Sequence, residues 1–293
     1  LYFDITEPLM DANVLSGAGY VLDLPDRPKL TGKVQPGFSF TKVRQFYKRV
    51  RQLILDQGID QSWIFCHSTD GDMVSAHAFV DYWLEGENNP TLTPAQPFFS
   101  KKYAPGRMQA LGNPAGKWGI PTRWLDQFAL GNDEAVKYKG FRSLFGYTRL
   151  HDVGDQWNYL SWKPFDPAKP MTFYPYWDPQ VAPALKCDTP DILTSAHRQD
   201  NRLQVLVFNR FDQQRDGIAV RIDAATLGLK VENGQMLTAT SLPEWNGWQK
   251  IPPPVLPMEW KAAPGATSGT LTVSLRTHDY RQILIEVQDS KQP

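Results

Sequence analysis

The spacing of apolar and polar positions changes character along this chain. The opening run, LYFDIT, sets the strand formers Leu1, Tyr2 and Phe3 ahead of Asp4 and reads as a β-strand tipped by a carboxylate. After a Gly/Pro-rich loop, SFTKVRQFYKRVRQLILDQG reads as a helix. Phe40, Val43, Phe46, Val50, Leu53 and Ile54 recur at helical spacing, Ser39 is placed to cap the start, and Gly58 suits the stop. SWIFCHSTD and AHAFVDYWLEGENNP then read as two short apolar strands ending in polar residues, at about residues 62–67 and 77–83. TRWLDQFAL reads as a third such element, and DEAVKYKGFRSLFGYTRL as a second helix capped by Asn132 or Asp133. Strand, loop, helix and strand in this order describe a parallel α/β sheet, with the strands at its start as parallel neighbours.

From about residue 190 the period shortens. RLQVLVFNR, GIAVRID, QMLTATS, GTLTVSLR and YRQILIEVQ are short strands separated by turn residues, and LTVSLR and ILIEV alternate as strands packed on one face do. The predicted fold is therefore α/β plus all-β. Residues 1–189 form the α/β part, residues 190–293 form a small antiparallel β-sandwich, and the boundary falls near Cys187 to His197.

Composition narrows the function. Thirty-one basic residues balance 31 acidic ones, which removes the electrostatic case for nucleic acid or an anionic membrane as partner. No uninterrupted apolar run approaches the ~20 residues that cross a bilayer. Two cysteines, Cys66 and Cys187, make neither a disulfide framework nor a metal motif, so they read as free thiols and do not fix the compartment. Ten tryptophans is a high count, and seven of them precede residue 180. There is no phosphate-binding glycine loop, no dinucleotide fingerprint, no G-x-S-x-G and no H-E-x-x-H, and no cofactor is expected.

Carboxylates and aromatic rings carry the candidate chemistry. In an extended chain Asp81, Trp83, Glu85 and Glu87 share one face, where three acids are costly in a dry core and readily accommodated in a wet cleft. Two carboxylates across an aromatic cleft suit glycoside hydrolysis, one as acid and one as nucleophile or base, with the rings stacking on sugar C–H faces. HSTDGD, containing His67, Ser68, Asp70 and Asp72, is a polar cluster at a strand tip that can bind ligand, cap a helix or hold a metal.

Taken together, Asp4 in LYFDIT, HSTD, FVDYWLEGEN, FYPYW at 173–177, and VLVFNRFDQQ with DAATLGL in the terminal sandwich resemble one group. These are the (β/α)8-barrel glycoside hydrolases with a C-terminal β-sandwich, in particular uncharacterised proteins related to glycoside hydrolase family 123. The resemblance covers nearly the whole chain in order of elements, through short motifs. It implies that LYFDIT is a mid-barrel strand with its acid on the catalytic face, and that residues 1–189 are the C-terminal part of a (β/α)8 (TIM) barrel. About 190 residues fall short of a barrel of ~250, so another polypeptide, or a missing N-terminal part of the same protein, is expected to complete it. One departure is plain. Family 123, as the resemblance implies, uses an adjacent Asp–Glu pair and the substrate's acetamido group, whereas Ile5 follows Asp4 here and the next acid is Glu7. A pair split between two strands looks more like the α-galactosidase arrangement.

The expected function is cleavage of a glycosidic bond in a polysaccharide or glycan, in a periplasmic or secreted setting. Asp4 is the expected nucleophile or base, and Glu87, Glu85 or Asp81 the acid, within about 10 Å across an accessible cleft. His67 and Asp70 are expected to bind hydroxyls, with Trp63, Trp83, Tyr82 and Trp177 as aromatic contacts. One alternative is a non-catalytic carbohydrate-binding or scaffolding protein with a degenerate barrel. Another is a metal-dependent hydrolase using His67, Asp70, Asp72 and His77.

Overall fold

In the computed structural model, helix α1 (Phe40–Asp56) turns a narrow stripe toward a sheet. Val43, Tyr47, Val50 and Ile54, four and three residues apart, form that stripe, while Phe46 and Leu53 are exposed at 45% and 47%. The stop is as expected. Gly58 takes φ +71, the Gly58 amide donates to the Leu55 carbonyl and the Ile59 amide to the Ile54 carbonyl, closing the helix with a left-handed glycine. The start differs, for the Ser39 side chain makes no capping bond and its carbonyl alone receives the amides of Lys42 and Val43. The structure describes residues 1–293 except 4–8, 16–18, 24, 28–30, 60–61, 68–73, 86–91, 125–129, 156–164, 167, 244–253 and 291–293.

The chain divides into two compact units, Leu1–Asn89 with Ala110–Asp126, and Pro90–Gln109 with Gln127–Pro293. This division does not coincide with the expected one at residue 189/190. In the first unit β1 (Tyr2–Phe3), β2 (Phe65–His67), β3 (Tyr82–Glu85) and β4 (Thr122–Trp124) lie side by side in that order, all parallel. The parallel neighbours read from the sequence are present. The third strand starts later than expected, because residues 78–79 turn and the Val80 amide donates to the His77 carbonyl. Among the described residues these strands form an open sheet and not a closed barrel.

The second unit is built on two antiparallel sheets. One has the order β5 (Thr172–Tyr174), β7 (Ile192–Gln199), β8 (Arg202–Asn209), β13 (Tyr280–Asp289) and β10 (Gln235–Ser241). The other has the order β6 (Leu185–Cys187), β9 (Arg215–Asp223), β12 (Ser268–Leu275) and β11 (Met258–Lys261). Alternate residues of both sheets meet in one core, with Val205, Val207, Ile283 and Ile285 from the first and Val220, Ile222, Leu271 and Val273 from the second. The sandwich begins at Thr172, ahead of the expected residue 190.

Strand β8 is buried along almost its whole length, which alternation alone does not explain. Its other face lies under α4 (Glu134–Leu150), where Tyr147 meets Phe208 at 5.1 Å between ring centroids. Asp133, not Asn132, caps α4, its carboxylate accepting from the amides of Ala135 (2.8 Å) and Val136 (3.3 Å). Gly146 is required for the approach, since a Cβ there would lie 2.3 Å from the Tyr280 ring. The sequence pattern did not reveal two other helices, α2 (Phe99–Lys102) and α3 (Pro105–Trp118); α3 carries Gly106, Gly112, Pro114 and Gly116, which hide its period. Among the described residues no helix is long and apolar enough to cross a membrane.

Candidate functional site

Register and alternation decide what each face of the parallel sheet presents. Tyr2, Phe65 and Tyr82 lie abreast, as do Phe3, Cys66 and Trp83. The second row points toward α1, where Phe3, Cys66 and Trp83 join Tyr47, Ile54, Ile64, Val80 and Ile120 in one apolar cluster. The first row points away from the helix. Trp63 and His67 flank Phe65 at two-residue spacing, so they share its face.

On that face the Tyr82 ring stacks on Trp63 (4.9 Å, 21°) and on Phe65 (4.8 Å, 19°), and the Arg123 guanidinium lies 5.2 Å from its centre. Tyr2 and Trp63 remain 56% and 54% exposed. His67, the last residue of β2, is buried and its Nδ1 lies 3.0 Å from the Tyr2 hydroxyl. The result is an aromatic surface toward the N-terminal ends of these strands, with the His67 imidazole at the C-terminal end of β2 and the Arg123 guanidinium as polar groups. In parallel sheets ligands collect at the C-terminal ends of the strands, the end at which His67 lies.

Of the expected site residues, Asp4, Asp70 and Glu87 lie outside the described residues, as does Asp72. His67, Trp63 and Tyr82 come together on the exposed face. Trp83, expected as a sugar platform, is instead 1% exposed beneath α1. Asp81 and Glu85 were expected to line a wet cleft. They do share a face with Trp83, but it is the helix face. Asp81 Oδ2 accepts from Arg51 Nη2 of α1 at 2.5 Å and from the Ile64 amide at 2.7 Å, tying helix to strand, and Glu85 is 1% exposed. Period two was right for these residues; the face that α1 covers decided the rest. The two histidines of the metal alternative lie on different faces, and its Asp70 and Asp72 lie outside the described residues. His77 is buried on the helix side against Tyr47 (5.7 Å) and Trp83 (6.0 Å), while His67 is on the opposite face.

Trp177 belongs to the other unit, where it stacks on His151 at 5.4 Å. His151 Nδ1 is 2.7 Å from the Tyr147 carbonyl and so carries the proton. Nε2 then accepts from the Tyr176 hydroxyl at 3.0 Å, which itself accepts from Gln109 Nε2 at 3.1 Å. Burial pushes the His151 pKa down to about 3, so the ring is neutral at ordinary pH. Nearby, His197 Nε2 meets Asp152 Oδ1 at 2.9 Å; burial outweighs that carboxylate and lowers the imidazole pKa.

A Ser–His–Asp relay also occurs in this unit, from residues too far apart in sequence to be read as a motif. Ser100 Oγ lies 2.8 Å from His278 Nδ1, and His278 Nε2 lies 3.0 Å from Asp212 Oδ1. Compared with a serine hydrolase the ring nitrogens are exchanged, and Ser100 is 2% exposed inside α2 beside Ser143. A nucleophile must be reachable, so this relay is a structural link.

No protein-family model matches the chain, and no curated protein matches it. Among solved structures, a glycoside hydrolase family 30 subfamily 8 xylanase from Clostridium acetobutylicum is similar at 12% identity and TM-score 0.38, over 83% of this chain and 60% of that one. A family 30 endoxylanase from Clostridium papyrosolvens C71 is similar at 8% identity and TM-score 0.34, over 92% and 76%. An alpha-amylase from H. orenii is similar at 10% identity and TM-score 0.37, over 85% and 58%. The chain thus spans about three fifths of the first xylanase. TM-scores this low carry no weight for fold or function.

Proposed function

We propose that this chain is part of a glycoside hydrolase that cleaves a glycosidic bond in a polysaccharide or glycan. The observation that carries the reading is the aromatic face of Tyr2, Trp63, Phe65 and Tyr82 on the side of the parallel strands away from α1, with His67 on the same face at the C-terminal end of β2. Flat rings match the C–H faces of pyranose sugars, while imidazole and guanidinium donors suit their hydroxyls. In this reading Asp4 is nucleophile or base, Glu87 is the acid, and Asp70 joins His67 in binding hydroxyls. Asp81 and Glu85 drop out because their carboxyls belong to the helix side of β3. The finer reading of the fold goes with it, a partial (β/α)8 barrel completed by another polypeptide; four parallel strands with α1 along one face support it.

The test is release of reducing ends from a panel of polysaccharides and glycans, comparing wild type with Asp4→Asn and Glu87→Gln. Release that both substitutions abolish, with folding intact, supports the assignment; release unaffected by either defeats it. A second reading, a non-catalytic carbohydrate-binding protein, is favoured by the placement of Asp81 and Glu85 away from the aromatic face. It expects retardation of the chain in polysaccharide-containing gels with no reducing ends released.

A further inference from the structure

The apolar arc of α1 is wider than the sheet beneath it. Val43, Tyr47, Val50 and Ile54 pack on the sheet, while Phe46 and Leu53 continue the arc along one margin and stay exposed. Contacts fix which margin that is. On the far side of the packed stripe Arg51 bonds Asp81, and the Arg44 guanidinium lies 5.0 Å from the Phe79 ring centre, so that flank lies toward β3. On the near side the Phe46 ring meets Phe3 of β1 edge-on at 5.1 Å. Strand β1 stands at one end of the strand order among the described residues. Phe46 and Leu53 therefore overhang the open side of the sheet, where the next helix of an α/β layer packs.

Beyond this margin the border is Lys42, Arg49 and Asp56, all exposed. With Phe46 and Leu53 they recur at alternating four- and three-residue steps, the spacing of a seam between two helices. Asp56 accepts from Gln52 Nε2 at 2.7 Å. The Lys42 and Arg49 side chains have no partner among the described residues. We infer that this margin of α1 docks an amphipathic helix of another polypeptide, one whose apolar seam is bordered by carboxylates. The seam covers Phe46 and Leu53, and the carboxylates answer Lys42 and Arg49. A second copy is a poorer occupant, because two α1 helices laid antiparallel, Phe46 on Leu53, bring Arg49 close to Arg49 of the twin. The inference rests on the reading in which another polypeptide completes the sheet. It uses no residue of the aromatic face, so its failure leaves the reducing-end test of hydrolysis untouched.

Fluorescence anisotropy with two labelled synthetic helices of about 20 residues tests it. Both carry a leucine seam, bordered by glutamates in one and by lysines in the other, and the full chain is titrated into each at low salt. The glutamate peptide is expected to bind saturably, about tenfold or more tighter than the lysine peptide. Leu53→Ser is expected to weaken that binding about tenfold, and Arg49→Glu to remove the preference for glutamate. Both side chains are exposed, and if one variant fails to fold the other decides alone. Absence of binding, equal binding of the lysine peptide, a Leu53→Ser variant indistinguishable from wild type, or a preference that Arg49→Glu leaves intact overturns the inference. So does self-association of the chain in sedimentation that Leu53→Ser abolishes, which gives the margin to a second copy.

Discussion

Two ion pairs of similar chemistry differ at the residue scale because their surroundings differ. Arg142 and Asp279 are 1% and 7% exposed, whereas Arg51 and Asp81 are 24% and 31% exposed. Arg142→Met removes one partner of a buried pair and is expected to cost about 3–5 kcal/mol in urea unfolding. Arg51→Ala, whose pair is screened by water, is expected to cost about 1 kcal/mol or less. Buried histidines set the response to acid. His151 titrates at about 3 in the folded chain against 6.5 when unfolded, with burial as the main cause and Arg210 adding to it. Between those values the unfolded chain binds the extra proton, so stability is full above about pH 6.5 and falls as pH drops toward 3. His197 and His278 shift the same way, also chiefly through burial. Urea midpoints measured at about pH 7.5, 5.5 and 4.5 should therefore decline in that order. His151→Gln should flatten the decline; an unchanged slope would remove His151 as its source.

At the scale of elements, α1 and α4 are opposite cases. Helix α1 covers a sheet with one stripe, and its amphipathic pattern made it visible, though Tyr47 fills the buried contact, Phe46 meets Phe3 with 45% of its surface exposed, and Leu53 is exposed. Helix α4 is buried along most of its length from Tyr138 to Leu150, so its sequence lacks a polar face and instead carries Gly140 and Gly146 where neighbours come close. Gly146→Ala drives a methyl into Tyr280 at the base of β13 and is expected to cost about 1–3 kcal/mol by thermal or urea unfolding. A neutral result would mean that α4 can lift from the sheet freely. Strand β8 shows the matching signal: VLVF at 205–208 is continuously apolar because the sandwich core takes Val205 and Val207 while α4 is nearest Phe208.

For the molecule as a whole, the proposed site belongs to the α/β unit. Trp63→Ala is expected to abolish polysaccharide retardation while changing stability by about 1 kcal/mol or less, because Trp63 is 54% exposed. Retention of binding would move the carbohydrate face elsewhere. Several features were legible from sequence alone: the parallel strands, the antiparallel strands of the sandwich, the Gly58 stop, the Asp133 cap, and the shared face of Asp81, Trp83 and Glu85. All of these follow from local rules, since period, turn chemistry and capping act between residues close along the chain. Tertiary structure alone decided that α1 covers the face bearing Trp83 and Glu85, leaving Trp63, Tyr82 and His67 on the other. It also decided that Ser100, Asp212 and His278 meet, and that Arg142 and Arg276 share Asp279. The physical reason is that alternation names two faces without saying which one a distant helix will bury. Likewise, ion pairs spanning 137 residues are made by packing and leave no spacing in the sequence.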